Sequence, residues 1–232
     1  TPRELNESLD EATRTILKRN GFDAEEFLEL RDGFLHGELS RESNRIDGKL
    51  EAPGADDLDV LPGSESVDGG RLEELGREAI EAGKVGVCVL NGGMATRFGG
   101  AVKGCVDVFD GRSFLELKLR DVAKWNGAVD VLVMNSFNTD GPTREHLVEG
   151  DYFGCDGEDV FLFNQNACIR LTPDGEIFRE EDGSVSLYPP GHGDLRDALN
   201  RGVLERFIDR GGEYLLMSNV DNLLANLDPR VV

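Results

Sequence analysis

Val85–Leu90 is an unbroken apolar run, VGVCVL, that stops abruptly at Asn91-Gly92-Gly93. Thr96, Arg97, further glycine and Lys103 follow within a few residues. A continuous apolar run is the pattern of a parallel strand buried on both faces. Glycines at its carboxyl end bring backbone amides close to anionic oxygen, and open α/β sheets bind ligands outside their strand C-termini. With a hydroxyl and two cations in the same corner, the segment is a candidate phosphate cradle. It fits neither of two common cradles. Lys103 is followed by Gly104 rather than by the Ser or Thr of a Walker A loop, and Gly92-Gly93-Met94-Ala95 lacks the G-x-G-x-x-G spacing of a dinucleotide loop. The same residues also suit a strand closed by a flexible glycine turn.

Other apolar runs end in, or lead to, polar words of the same kind. Asn135-Ser136-Phe137-Asn138-Thr139 follows one, Asn164-Gln165 another, and Asn219-Val220-Asp221 the last, while Gly191-His192-Gly193-Asp194 precedes a helix. The Gln165 amide can read a nucleobase edge through a paired donor and acceptor, with a glycine such as Gly191 offering backbone groups beside it. Asp221 is a hard oxygen ligand suited to magnesium next to phosphates. His192, opening a helix, can donate to a phosphate oxygen. Each has a plainer reading: Asn135 and Asn138 as turn residues, Gln165 as a surface amide, Asp221 as an acidic turn residue and Asp194 as an N-cap. Only joint placement at one sheet edge favours the site.

The elements that would position these words alternate from Arg71 onward. The spacing predicts a helix over Leu72–Ala82, the strand Val85–Leu90, and a short strand over Cys105–Phe109 closed by Asp110-Gly111. Ser113 then caps a helix that runs to Trp125. Strand Val129–Met134, helix Thr143–Glu149, strand Asp159–Phe163, a helix over Asp194–Asp209 and strand Tyr214–Ser218 complete the pattern. Pieces around Cys168–Leu171 and Val185–Leu187 read as a small antiparallel excursion through Asp174-Gly175. Such alternation predicts an α/β fold with a mainly parallel sheet and helices on both faces. Before it, residues 1–70 read as an N-terminal helical segment and an irregular connection. One helix carries Leu5, Leu9, Ala12 and Ile16 as far as Gly21, a second is capped by Asp23, and a polar stretch rich in Asp, Gly and Pro crosses the surface; His36 is taken as a surface residue. The expected division is 1–70 and 71–232.

Composition narrows the partners. The formal charge of −21 over 232 residues argues against a general nucleic-acid surface, and it makes any site for anions depend on local cations and a metal ion. No apolar run reaches the length of a membrane span and no signal peptide is visible, so no membrane partner is expected. Cys88, Cys105, Cys155 and Cys168 have no paired metal spacing and suit a reduced, cytoplasmic setting.

The words LNGG, MNSFNT, FNQ, YPPGHGD and SNVDNL, in this order, resemble the UTP–glucose-1-phosphate uridylyltransferase family, which belongs with the wider UDP-sugar pyrophosphorylases. The resemblance covers Leu72 to Pro229. It implies a Rossmann-like nucleotidyltransferase core and the reaction of UTP with a sugar 1-phosphate to give UDP-sugar and pyrophosphate, with Mg²⁺ as cofactor. It also implies that Leu90, Asn91, Gly92 and Gly93 hold UTP, that Lys103 contacts its phosphates, and that Gln165 and Gly191 read uracil. His192 would meet the sugar phosphate; Asn219, Val220 and Asp221 would serve substrate, with Asp221 also on the metal. Lys103, Arg97 and Asp221 would carry the catalytic charge.

The sequence departs from the family pattern at Ala95, where Gly is usual, and at Val102, where Pro is usual; the spacing up to Lys103 also differs. Ala95 is therefore expected at φ < 0. Arg97 resembles the bacterial sugar nucleotidyltransferases. The chain stops soon after Asp221, where family members continue, so a fragment of a longer enzyme is expected. A UTP- or UDP-sugar-binding module without catalysis is the alternative, and a dinucleotide binder is disfavoured by the missing fingerprint.

Overall fold

A computed structural model describes residues 1–40, 42–95 and 100–232. The helices α1 (Pro2–Ser8), α2 (Glu11–Arg19) and α3 (Ala24–Leu35) open the chain, and an irregular stretch leads to α4 (Val67–Glu81) and β1 (Val85–Leu90). Two small hairpins follow, β2 (Met94–Ala95) with β3 (Ala101–Val102), and β4 (Asp107–Phe109) with β5 (Arg112–Ser113). Next come α5 (Phe114–Ala123), β6 (Asp130–Asn135), α6 (Asp140–Glu149), β7 (Val160–Asn164), and the pair β8 (Cys168–Ile169) and β9 (Leu187–Tyr188). The chain continues through α7 (Leu195–Leu199), α8 (Val203–Asp209) and β10 (Tyr214–Asn219).

Two compact units share these elements. Thr1–Val60 groups with Asn166–Pro190, and Leu61–Gln165 groups with Gly191–Val232. The first unit is tied together by Ala167 N–H to Asn20 C=O (2.9 Å), by Arg31 Nε to Gly175 C=O (2.6 Å), and by a Gly175 that lies against Leu35. Its opening is two helices rather than one, because Asp10 caps α2 by accepting from Thr13 N–H (2.8 Å) and Leu9 is left extended. Asp23 caps α3 as expected. His36 is exposed at its end, with Nδ1 on Asp32 C=O.

The second unit is the expected parallel sheet, in the order β10-β1-β6-β7, with every neighbouring pair parallel. The run VGVCVL is buried at all six positions because it serves two cores. Val85, Val87 and Val89 join Ile80 of α4 and Leu115, Leu119 and Val122 of α5 on one face. Cys88 and Leu90 join Ala198, Leu199 and Phe207 from α7 and α8 on the other. Each Val, Leu, Ile or Phe side chain among them contributes about 1.5–3 kcal/mol when fully buried. Burial also pushes the Cys88 thiol up to about 12. The four cysteines are free, and among the described residues no helix is long and apolar enough to cross a membrane.

Several element ends differ from the sequence expectation for local reasons. α4 starts at Val67, not Leu72, because Ser66 caps it through Gly69 N–H. α6 starts at Asp140, not Thr143, since Pro142 is tolerated in a first turn. The helix expected over Asp194–Asp209 is two helices, broken where Gly202 takes φ +102°. At β4–β5 the chain reverses through Asp110 and Gly111, both at positive φ.

Candidate active site

Register sets the rim of the sheet. Leu90 lies level with Asn219 on one side and Met134 on the other, and Asn135 lies level with Asn164. Between β1 and β10 the strand order reverses, which is where a crevice opens in such sheets. The polar words after β1, β6, β7 and β10 emerge at this rim.

Under the glycine loop lies a buried amide network. Asn91 donates its backbone N–H to Met134 C=O (2.7 Å) and its Nδ2 to Asn135 Oδ1 (2.8 Å) and Thr143 Oγ1 (2.9 Å). Asn135 also reaches Asp140 (3.4 Å), and Ser136 Oγ donates to the Gly92 carbonyl (3.0 Å). Asn135 is therefore not a turn residue but a buried post, whereas Asn138 is an exposed turn residue as read. Asn91 Oδ1 is buried without a hydrogen-bond partner among the described residues, and it faces Gly104 so closely that a Cβ there would come within 2.2 Å. The Asn91 side chain thus supports the loop from below.

Gln165 is not a surface amide. It is 2% exposed, and its N–H bonds Asn135 C=O (2.8 Å). Its side-chain amide occupies the space that a Cβ on Gly92 would need, with Oε1 2.8 Å from that point. That amide group makes no hydrogen bond to another described residue. A neutral amide at such a place has the paired donor and acceptor that a base edge offers in return. Gly191 takes φ 103° and ψ −165°, a region essentially closed to residues with a Cβ, and nothing lies within 4 Å of where a Cβ would sit. Glycine is required there by conformation, beside open space.

On the other side of β1 the groups are charged and exposed. The β2–β3 hairpin returns the chain so that Lys103 N–H reaches Gly93 C=O (3.4 Å), and Lys103 Nζ pairs with Asp221 Oδ2 at 3.0 Å. The Lys103 ammonium holds the Asp221 carboxyl below its ordinary value, and His192 adds a smaller pull in the same direction. Ala95 pairs with Ala101 in the β2–β3 ladder. Arg97 and Thr96 lie outside the described residues.

Leu90 is a core residue whose carbonyl accepts from Val220 N–H (3.1 Å). Val220 itself turns into the core, so only its carbonyl is left for a ligand; Asn219 and Asp221 on either side are exposed. Asp194 stands at the N-cap of α7, but its side chain makes no capping bond. It is buried and interacts with Arg201, which donates to the Asn164 carbonyl. The residues that sequence reading missed are Thr143, Ser136, Arg201 and Lys118; the first two sit in or near a polar word, and nothing in the local pattern marks the others.

Among the described residues no group of three or more His, Cys, Asp or Glu is placed to hold a metal ion. A lone Asp221 fits a magnesium ion that keeps its waters and phosphate oxygens, which is how that ion is usually bound.

The profile of the UTP–glucose-1-phosphate uridylyltransferase family matches residues 37–232. The chain is similar to UTP–glucose-1-phosphate uridylyltransferase of Saccharomyces cerevisiae, 36% identical over 64% of this chain and 31% of that one. It is also similar to that of Solanum tuberosum, 32% identical over 84% and 41%. A UDP-glucose pyrophosphorylase variant of Leishmania major, solved with UDP-glucose, superposes with TM-score 0.57 at 29% identity over 66% of this chain and 33% of that one. The fold is shared with a UDP-N-acetylglucosamine pyrophosphorylase of Trypanosoma brucei, solved with an inhibitor: TM-score 0.71, 24% identity, 95% of this chain and 49% of that one. The chain spans 31% and 41% of the two curated relatives.

Proposed function

Because the chain belongs to the UTP–glucose-1-phosphate uridylyltransferase family, we propose that the full-length protein transfers a uridylyl group from UTP to a sugar 1-phosphate, with glucose 1-phosphate as the expected acceptor. A phosphate oxygen of the sugar 1-phosphate attacks the α-phosphorus of UTP in line. The new P–O bond gives UDP-sugar, and the bond to the β-phosphate breaks to release pyrophosphate. No covalent enzyme intermediate is needed, so the residues act by positioning and by neutralising charge.

The observation that carries the reading is the Gln165 amide, without a side-chain hydrogen bond among the described residues and buried against Gly92, across β1 from the Lys103–Asp221 pair. Gln165 and the backbone at Gly191 read uracil. Gly92 and Gly93 let the nucleotide approach the chain, and Lys103 with Arg97 neutralises its phosphates. His192 donates to the sugar phosphate, and Asn219 orients it. Asp221 holds magnesium, which when bound neutralises phosphate oxygens. The four free cysteines suit a cytoplasmic setting.

Pyrophosphate release by the full-length protein tests this directly. Release should require UTP and glucose 1-phosphate together and fall at least tenfold with ATP, because a site built on directional hydrogen bonds rejects a base that leaves them unpaired. Equal turnover with ATP, or UTP binding with no pyrophosphate release from any hexose 1-phosphate, would overturn it.

A further inference from the structure

The segment that carries Asp221 is also held from behind. Lys118 lies mid-helix in α5, 4% exposed, on the face that packs under the sheet. Its neighbours Leu115, Leu119 and Val122 share a core with Val220 and Leu227, so an apolar side chain would suit the position. Lysine is rarely so buried, because desolvating an ammonium is costly unless its donors are engaged. Here Nζ donates to Ser218 Oγ (3.0 Å) and to the Ala225 carbonyl (2.8 Å). One turn further along α5, Asp121 Oδ2 accepts from Leu227 N–H (3.2 Å), while its Oδ1 pairs with Lys124 (2.8 Å). Burial lowers the Lys118 pKa and Asp121 counteracts this.

These contacts are not spread evenly. Ser218 stands immediately before Asn219-Val220-Asp221, and Ala225 and Leu227 stand just after. One buried ammonium therefore joins the two ends of the turn whose middle bears Asp221. The Asp221 side chain itself, exposed, has Lys103 as its ion-pair partner. We propose that Lys118 is a positioning residue: by bridging Ser218 and Ala225 it fixes the turn after β10, so that Asp221 is presented opposite Lys103. The proposal rests on the assignment of Asp221 to magnesium made above. Misplacing a reacting group by about 1 Å can cost about a hundredfold in rate.

The test uses the full-length protein with Lys118→Met, which keeps the stem and removes the head, and Lys118→Arg, which keeps charge and donors. Each is made alone and together with Asp221→Asn. Calorimetry of UTP without magnesium should be unchanged within about twofold in Lys118→Met, since Gly92 and Gln165 lie on the other side of β1. The magnesium midpoint of pyrophosphate release should rise several-fold, Lys118→Arg should recover part of it, and in the Asp221→Asn background Lys118→Met should add almost nothing. If Lys118→Met does not fold, Ser218→Ala removes one of the two bonds and should give a smaller rise of the same kind. Independent, multiplying effects of Lys118→Met and Asp221→Asn would overturn the proposal and leave the assignment of Asp221 standing. An Asp221→Asn variant with the wild-type magnesium midpoint would overturn both.

Discussion

On the β6–β7 side of β1 the rim is dry and neutral: Asn91, Asn135, Ser136 and Gln165 are buried, and amide meets amide at 2.8 Å. On the β10 side it is wet and charged: Lys103, Asp221 and His192 face solvent, and the strongest contact is a 3.0 Å ion pair that is more than a third exposed at each end. The difference follows from what can be desolvated. Neutral amides can be buried and preorganised once their partners are in place, at a net gain of about 1 kcal/mol per hydrogen bond. Charges that must later change partners cannot be sealed away without a large desolvation cost. The charged half is therefore left in water, and its rigidity comes from behind, through Lys118.

A methyl group added at two glycines should split the two kinds of support. In Gly104→Ala the new carbon meets Asn91, which is locked by Asn135 and Thr143 and cannot swing away. Overpacking of this sort should destabilise the protein by about 1–3 kcal/mol, read as a lower urea midpoint with an unchanged slope. In Gly92→Ala the carbon meets the far end of Gln165, which can rotate. The urea midpoint should then barely move, while UTP affinity falls about tenfold or more and uracil preference narrows. Equal loss of stability in both variants would erase the contrast between a fixed post and a movable reader.

Smaller effects belong to the charged half. Lys103→Met should weaken UTP binding at low salt and flatten its salt dependence, whereas Gln165→Leu should weaken it with the salt dependence kept. The pH response has a definite sign. Asp221 titrates below its ordinary 3.8 because Lys103 stabilises its charged form, so the stability gained from the pair is fully present above 3.8 and lost as pH falls through the lower folded value. Being exposed, the pair should contribute less than about 1 kcal/mol. At neutral pH wild type should exceed Lys103→Met in stability by no more than that, and the difference should vanish as pH falls well below 3.8; a difference persisting in strong acid would mean that Lys103 has another partner in the fold.

The sequence by itself determined the order of elements, the parallel sheet and the positions of the words at strand ends. Period and apolar continuity are local properties, and Val85–Leu90 or Tyr214–Ser218 can be read without knowing what they touch. It also determined the family, which a match over residues 37–232 shows. What only the tertiary structure decided is which polar residues are buried supports and which keep their polar groups open at the rim. Asn91 and Asn135 read as site or turn residues and are buried supports; Gln165, dismissible as a surface amide, is enclosed against Gly92. Lys118 reads as one more solvated lysine in FLELKLRD and is buried beneath the turn that bears Asp221. Burial and hydrogen-bond partnership are made by residues distant in the chain, 44 positions for Asn91 and Asn135 and 100 for Lys118 and Ser218, and no local pattern records them.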